Sequence, residues 1–221
     1  MFTNNNSQKI VFSDGTEIVT GLDHEWFTSD KKERERNRNH IKSPPKSKTA
    51  IKIYESVKTT EEIKRTLKYG KENNHSVAVC EPIKGAYKDL PVDPYLLGYW
   101  LGNGSKSSSR ITVNNEDLKE ICKILSDKGV KYSVKDYGKI GASYLNILEI
   151  YPLLRELKVL DNKHIPEIYL TASLNQRLEL LQGLLDSDGT IDDRGRCSIT
   201  SGVKSLWQGI EFLISSFGLK L

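Results

Sequence analysis

One short pattern occurs twice in this chain and constrains its fold more than any other feature. LLGYWLGNG runs from Leu96 to Gly104, and 85 positions later LQGLLDSDG runs from Leu181 to Gly189. A glycine stands third and last in each. Upstream, Asp93 and Pro94 provide a cap and a first-turn proline for one helix, and Ser173 with Gln176 opens the other. Gly98 with Gly102, and Gly183 with Ser187, put small residues four apart on one helical face, so two such backbones can approach closely. Packed side by side in parallel, the helices would bring their C-terminal ends together, with Asn103 and Asp188 in a place where both helix dipoles favour a cation. Paired carboxylates at such a junction hold Mg²⁺ through oxygen ligands and leave waters for phosphodiester hydrolysis. Here one copy carries the acid and the other its amide.

Either copy alone reads as a core helix with a glycine cap. The stretch after each copy points to the paired arrangement. RITV at 110–113 and CSIT at 197–200 are strand-like, and each leads into an amphipathic helix, DLKEICKILSDKG or SLWQGIEFLISSFG. Leu118 aligns on Leu206 and Leu125 on Leu213, a shift of 88 in both cases, which marks an internal duplication. The first copy continues through YSVKDY, SYLNILEI and YPLLRELKVL, for which the second has no counterpart before Leu221. The expectation is a fragment, or another segment covering the exposed side of the second half.

Ahead of the duplication, QKIVFSDGTEIVT reads as a hairpin around Asp14 and Gly15. Residues 31–48, charged and with two adjacent prolines, lack apolar periodicity and are expected to form a mobile loop. Thr59 to Glu62 is a capping box opening a helix through Ile63 and Leu67 that ends near Gly70. GAYKDLPVDP, which comes after the strand-like HSVAVCEPI, reads as a domain boundary. Lys31 to Lys71 holds 14 basic and 5 acidic residues, net +9, in a chain of net charge +4, so this segment is a nucleic-acid patch or a solvated loop. Cys80, Cys122 and Cys197 show no metal or disulfide spacing and are expected in the core. With no apolar run of about 18 residues and no signal peptide, a soluble cytoplasmic chain with no membrane partner is expected.

LLGYWLGNG and LQGLLDSDG resemble the two dodecapeptide motifs of LAGLIDADG homing endonucleases, and KHIP at 163–166 is similar to the lysine block preceding the second motif. FSDGTEIVTGLDHEWFT resembles the histidine-containing block of an intein splicing domain, the Hint fold. The resemblance implies an α+β chain with a partial, β-rich Hint segment over residues 1–85 and an endonuclease over 94–221. The endonuclease would be an αββαββα half repeated about a pseudo-twofold axis, with the second repeat incomplete. It further implies a site-specific DNA endonuclease borne by an intein, acting on double-stranded DNA with Mg²⁺ or Mn²⁺. Asp188 matches the metal-binding acid of the second motif, Asn103 stands at the same place in the first, and Lys163 matches a lysine that stabilises charge or tunes a water. Gly102 and Ser187 complete the expected metal set, and Lys106, Arg110, Arg194 and Arg196 flank the expected groove-facing strands. Thr20 and His24 fall in the splicing block, whose histidine assists the first acyl shift. His40 and His75 match nothing, and His164 is read as solvated or packed.

Three departures from the family pattern shape the expectation. An amide oxygen at Asn103 can coordinate Mg²⁺ but brings no charge, which weakens one half-site. The chain starts at Met1 without an upstream splicing cysteine or serine and ends at Leu221 without a terminal His-Asn pair, so splicing in isolation is not expected. A missing C-terminal intein segment would be a partner. Two other readings stay open: a DNA-binding protein that kept the fold and lost cleavage, for which Asn103 speaks, and a remnant splicing domain with a decaying insert.

Overall fold

The protein is described from a computed structural model covering residues 7–42, 54–136 and 141–219. The chain is α+β and divides into two compact units, Met1–Cys80 and Glu81–Leu221.

In the first unit, β1 (Ser7–Val11) and β2 (Glu17–Gly21) form the expected hairpin. Its turn is closed by Phe12 N–H on the Thr16 carbonyl and by the Asp14 carboxylate accepting from Thr16 N–H, with Gly15 at φ 87°. β3 (Glu25–Ser29) then leads into α1 (Lys31–Lys42), which replaces the first part of the expected mobile loop. The helix starts because Asp30 and Glu33 cap each other: Asp30 Oδ1 accepts from Glu33 N–H at 2.9 Å and Glu33 Oε2 from Asp30 N–H at 2.8 Å. Arg34 then donates to the Ser29 and Asn74 carbonyls, and Asn37 bonds both backbone groups of Tyr54. No residue of α1 is buried, so apolar spacing could not have announced it. Residues 43–48 of the expected loop lie outside the described residues.

β4 (Ser56–Thr59) pairs with β3, and α2 (Thr60–Arg65) opens on the Thr59/Glu62 capping box. The helix stops at Arg65, short of Leu67. Gly70, at φ 63°, instead turns the ribbon of β5 (Lys68–Tyr69) and β6 (Glu72–Asn73), and β7 (Ser76–Val77) completes a sheet of order β4-β3-β7. Among the described residues of this unit only Thr28 and Thr60 are buried, and no apolar side chain is. Paired strands and caps, rather than a hydrophobic core, hold these residues in place.

The second unit carries the core. Gly85 to Asp93, read from sequence as a boundary, packs within it. The Gln176 amide donates to the Lys88 carbonyl at 2.6 Å, and the Tyr169 hydroxyl exchanges hydrogen bonds with both backbone groups of Val92. Asp93 caps α3 (Pro94–Asn103), whose residues from Pro94 to Leu101 are all buried. Next come β8 (Arg110–Asn114), the amphipathic α4 (Leu118–Asp127), β9 (Tyr132–Asp136), β10 (Ala142–Ile147) and α5 (Tyr151–Glu156), with a sheet order β8-β10-β9. A short α6 (Glu167–Leu170) precedes α7 (Leu174–Asp188), which starts on the Ser173/Gln176 capping box. β11 (Gly189–Ile191), β12 (Cys197–Ile199) and α8 (Lys204–Ser215) complete the unit.

The duplication is visible in three dimensions. Gly104 bridges Ile111 after α3, and Gly189 pairs with Ile199 after α7. Leu125 and Leu213 are both fully buried, as are Trp100, Leu145 and Leu154. Cys80 and Cys197 are exposed, which corrects the expectation of core cysteines at those two positions: one lies ahead of the core and the other on the short β12, whose first two residues are exposed; Cys122 is partly buried against the core. Among the described residues no helix is long and apolar enough to cross a membrane.

Candidate functional site

Helices α3 and α7 touch backbone to backbone. A Cβ on Gly98 would overlap the Leu180 carbonyl oxygen, one on Gly183 the Tyr95 carbonyl oxygen, and one on Gly102 the Ser187 hydroxyl. Tyr95 thus faces Gly183, Gly98 faces Leu180 and Leu184, and Gly102 faces Ser187 and Asp188, so the helices run parallel and end together. Gly104 and Gly189 cap them in the same extended conformation, donating to the Trp100 and Leu185 carbonyls. Both have negative φ. Glycine is needed there because a Cβ would strike those same carbonyls.

At this junction the structure brings together Gly102, Asp188 and Lys163. The Lys163 ammonium donates to the Gly102 carbonyl at 2.9 Å and lies 5.4 Å from the centre of the Trp100 ring. Burial pulls its pKa below the ordinary lysine value, and the negative charge of Asp188 opposes that shift. Its loop is fixed on both sides. Ser205 donates to the Lys163 carbonyl at 2.9 Å, Asp161 N–H to the Lys106 carbonyl at 2.6 Å, and Val159 and Ile165 are buried anchors. The three groups line an open cavity of about 260 Å³, together with Thr200, Ser201 and Gly202.

Two of the four expected metal residues are placed differently. Ser187 donates its hydroxyl to the Leu184 carbonyl at 2.9 Å and fills the helix contact against Gly102, so its side chain belongs to the packing. The Asn103 amide stands close to the Tyr99 hydroxyl, a phenol that burial pushes up to about 12 and that the amide pulls the other way. Asp188 and the Gly102 carbonyl are hard oxygen donors at two negative helix ends, and a cation, the Lys163 ammonium, already rests on one of them. This donor set suits Mg²⁺ or Mn²⁺ with waters completing the shell. Among the described residues no group of three or more His, Cys, Asp or Glu could hold a metal, so any ion relies on carbonyl and water ligands.

Beside the junction, β8 and β10 bury Ile111, Val113, Leu145 and Ile147 and turn their alternate residues outward. Arg110, Thr112 and Tyr144 share that face with Lys135, which stands opposite Tyr144. The Arg110 guanidinium stacks over the Tyr144 ring at 4.8 Å. The sequence named Arg110 as a candidate and not Thr112, Tyr144 or Lys135, although the alternation in RITVN and ASYLNI carried the signal for Thr112 and Tyr144. On the second sheet Thr190 pairs with Ser198, and Arg194 and Arg196 lie in the hairpin turn. Arg196 is already ion-paired with Asp192 at 2.6 Å, and Lys106 is exposed in the α3–β8 connection. In the first unit, Thr20 stands opposite Gln8 in β2, and the His24 ring meets Trp26 edge-on with centroids 4.8 Å apart.

No family model matches the chain. A curated replicative DNA helicase DnaB from Mycobacterium intracellulare is 32% identical over 215 residues, which are 96% of this chain and 34% of the helicase. The chain thus spans about a third of the length of the curated relative it matches. Among solved structures, one from work on mesophilic variants of the homing endonuclease I-DmoI aligns at 17% identity over 59% of this chain and 78% of its own, with a TM-score of 0.41.

Proposed function

We propose that this chain is part of an intein carried in a helicase-related polypeptide, and that its second unit is a LAGLIDADG-type endonuclease that hydrolyses a phosphodiester of duplex DNA. One observation carries the reading: two parallel helices in backbone contact bring Asp188 and the Gly102 carbonyl to one open cavity, where the loop before α6 adds Lys163. Identity to a replicative helicase along nearly the whole chain supports the intein context.

In this reading Asp188 and the Gly102 carbonyl hold the metal, and the two helix ends add negative potential. When bound, a divalent ion polarises a phosphate oxygen and acidifies its water. Lys163 offsets negative charge as it develops on the phosphate. Arg110, Lys135 and Arg194 neutralise backbone phosphates while Tyr144 and Thr112 present contact groups to the groove; Arg196 must exchange Asp192 for a phosphate to join them. Since Asn103 brings no charge, one strand is cut more slowly and nicking outruns double-strand cleavage.

The test uses supercoiled plasmid carrying the helicase coding sequence without the aligned third, incubated with the chain and Mg²⁺. Nicked circles should accumulate ahead of linear DNA, and both chelation and Asp188→Ala should abolish them. Salt-sensitive binding with no metal-dependent nicking would instead support the reading as a DNA-binding protein that has lost cleavage, for which the uncharged amide of Asn103 speaks.

A further inference from the structure

We infer that Lys163 is a resident counter-ion of the cation site, and that a divalent metal enters by displacing its ammonium from the Gly102 carbonyl. The inference rests on reading the ends of α3 and α7 as a metal site, and it assigns that site a built-in competitor.

Two helix C-termini contribute roughly half a negative charge each, and Asp188 adds a full one, so the junction attracts a cation whether or not a metal is available. Lys163 supplies it. Its ammonium donates to the Gly102 carbonyl oxygen at 2.9 Å, the one backbone oxygen that the proposed metal set draws from α3. The side chain does not reach this point by chance rotation, because its loop is tied to Ser205 and to Lys106 and anchored by buried Ile165. The Trp100 ring, 5.4 Å away, gives the ammonium a second attractive surface. The carbonyl oxygen has a second lone pair, but an ammonium 2.9 Å from it and a divalent metal on the same oxygen would stand within about 4 Å of each other, and two cations that close in a partly buried site repel strongly. Entry of a metal therefore means exit of the lysine. The ammonium has somewhere to go, because Lys163 itself lines the open cavity of about 260 Å³. On DNA the phosphate gives the displaced ammonium a new acceptor, so metal occupancy would be favoured where a substrate is present and held down elsewhere.

The experiment measures Mn²⁺ binding to the full chain without DNA, by electron paramagnetic resonance of the free ion, for the parent, Lys163→Met, Lys163→Arg and Asp188→Asn. Lys163→Met should bind Mn²⁺ about tenfold tighter than the parent, since a nearby like charge has been removed. Lys163→Arg, which keeps the charge, should show no such gain, and Asp188→Asn should lose binding. Thermal unfolding checks that each variant is folded; if Lys163→Met is not, Lys163→Gln takes its place. Loss of binding in Asp188→Asn, with no gain in the uncharged Lys163 variant, would overturn the displacement and leave the metal site standing. Unchanged binding in Asp188→Asn, or no binding by the parent, would overturn the metal site and the displacement with it.

Discussion

Gly98→Ala tests the backbone contact on which the whole junction depends. The new methyl would overlap the Leu180 carbonyl oxygen and lie 3.0 Å from the Leu184 nitrogen and 3.1 Å from the Leu180 carbonyl carbon. All three are backbone atoms of one helix, so no side chain can swing aside; α3 and α7 must separate by about 1 Å to restore ordinary carbon–oxygen contacts of roughly 3.3 Å or more. Overpacking of this kind costs about 1–3 kcal/mol, and losing the close contacts along the seam adds to it. Against this, alanine gains about 1 kcal/mol of helix propensity. The net expectation is a loss of about 2 kcal/mol in urea unfolding, monitored by tryptophan fluorescence, since Trp100 and Trp207 both report on this unit. Gly202→Ala is the control, because its Cβ would meet nothing within 4 Å; it should stay within about 0.5 kcal/mol of the parent. The same separation would draw Gly102 away from Asp188 and slow cleavage by about a hundredfold, as a misplacement of about 1 Å does. A Gly98→Ala chain as stable as the parent, with the same denaturant slope, would refute the backbone contact.

Asn103→Asp should restore the missing carboxylate and speed the slow cut by two to three decades, the equivalent of about 3–4 kcal/mol for one preorganised group; time courses of nicked and linear plasmid at fixed Mg²⁺ would show it, and an unchanged ratio would remove Asn103 from the site. Duplex binding should weaken steeply with ionic strength, and Arg110→Ala should reduce the log-log salt slope by about one unit, measured by fluorescence anisotropy. Arg177, 1% exposed, binds the Ala172, Ser216 and Ile83 carbonyls and the Ser216 hydroxyl, and lies over the Phe217 ring. Arg177→Met leaves those buried acceptors without a donor and should cost about 3 kcal/mol or more in unfolding free energy, whereas a loss under 1 kcal/mol would mean that water replaces the guanidinium.

Features confined to a turn or a strand are legible along the chain. Asp93 and Pro94, Ser173 and Gln176, and Thr59 and Glu62 each specify a helix start because cap and partner are three residues apart or fewer. The small residues four apart in α3 and α7 allow a close approach of the two helices, whose parallel direction the tertiary structure supplies, and the alternation in RITVN specifies which side of β8 is buried. Even α1 has its Asp30/Glu33 cap in plain view, hidden only by an absence of apolar spacing. Which groups share the junction is a matter of tertiary packing. Lys163 reaches Gly102 across 61 residues of sequence, Tyr144 comes beside Arg110 only through the pairing of β10 with β8, and Ser187, with the same spacing as a ligand would have, is taken up by packing instead. Local hydrogen bonds and side-chain periodicity act over a few residues and can be read in order. The occupant of a particular carbonyl is set by the packing of distant segments around Trp100 and Leu145, where the burial of every other element contributes at once.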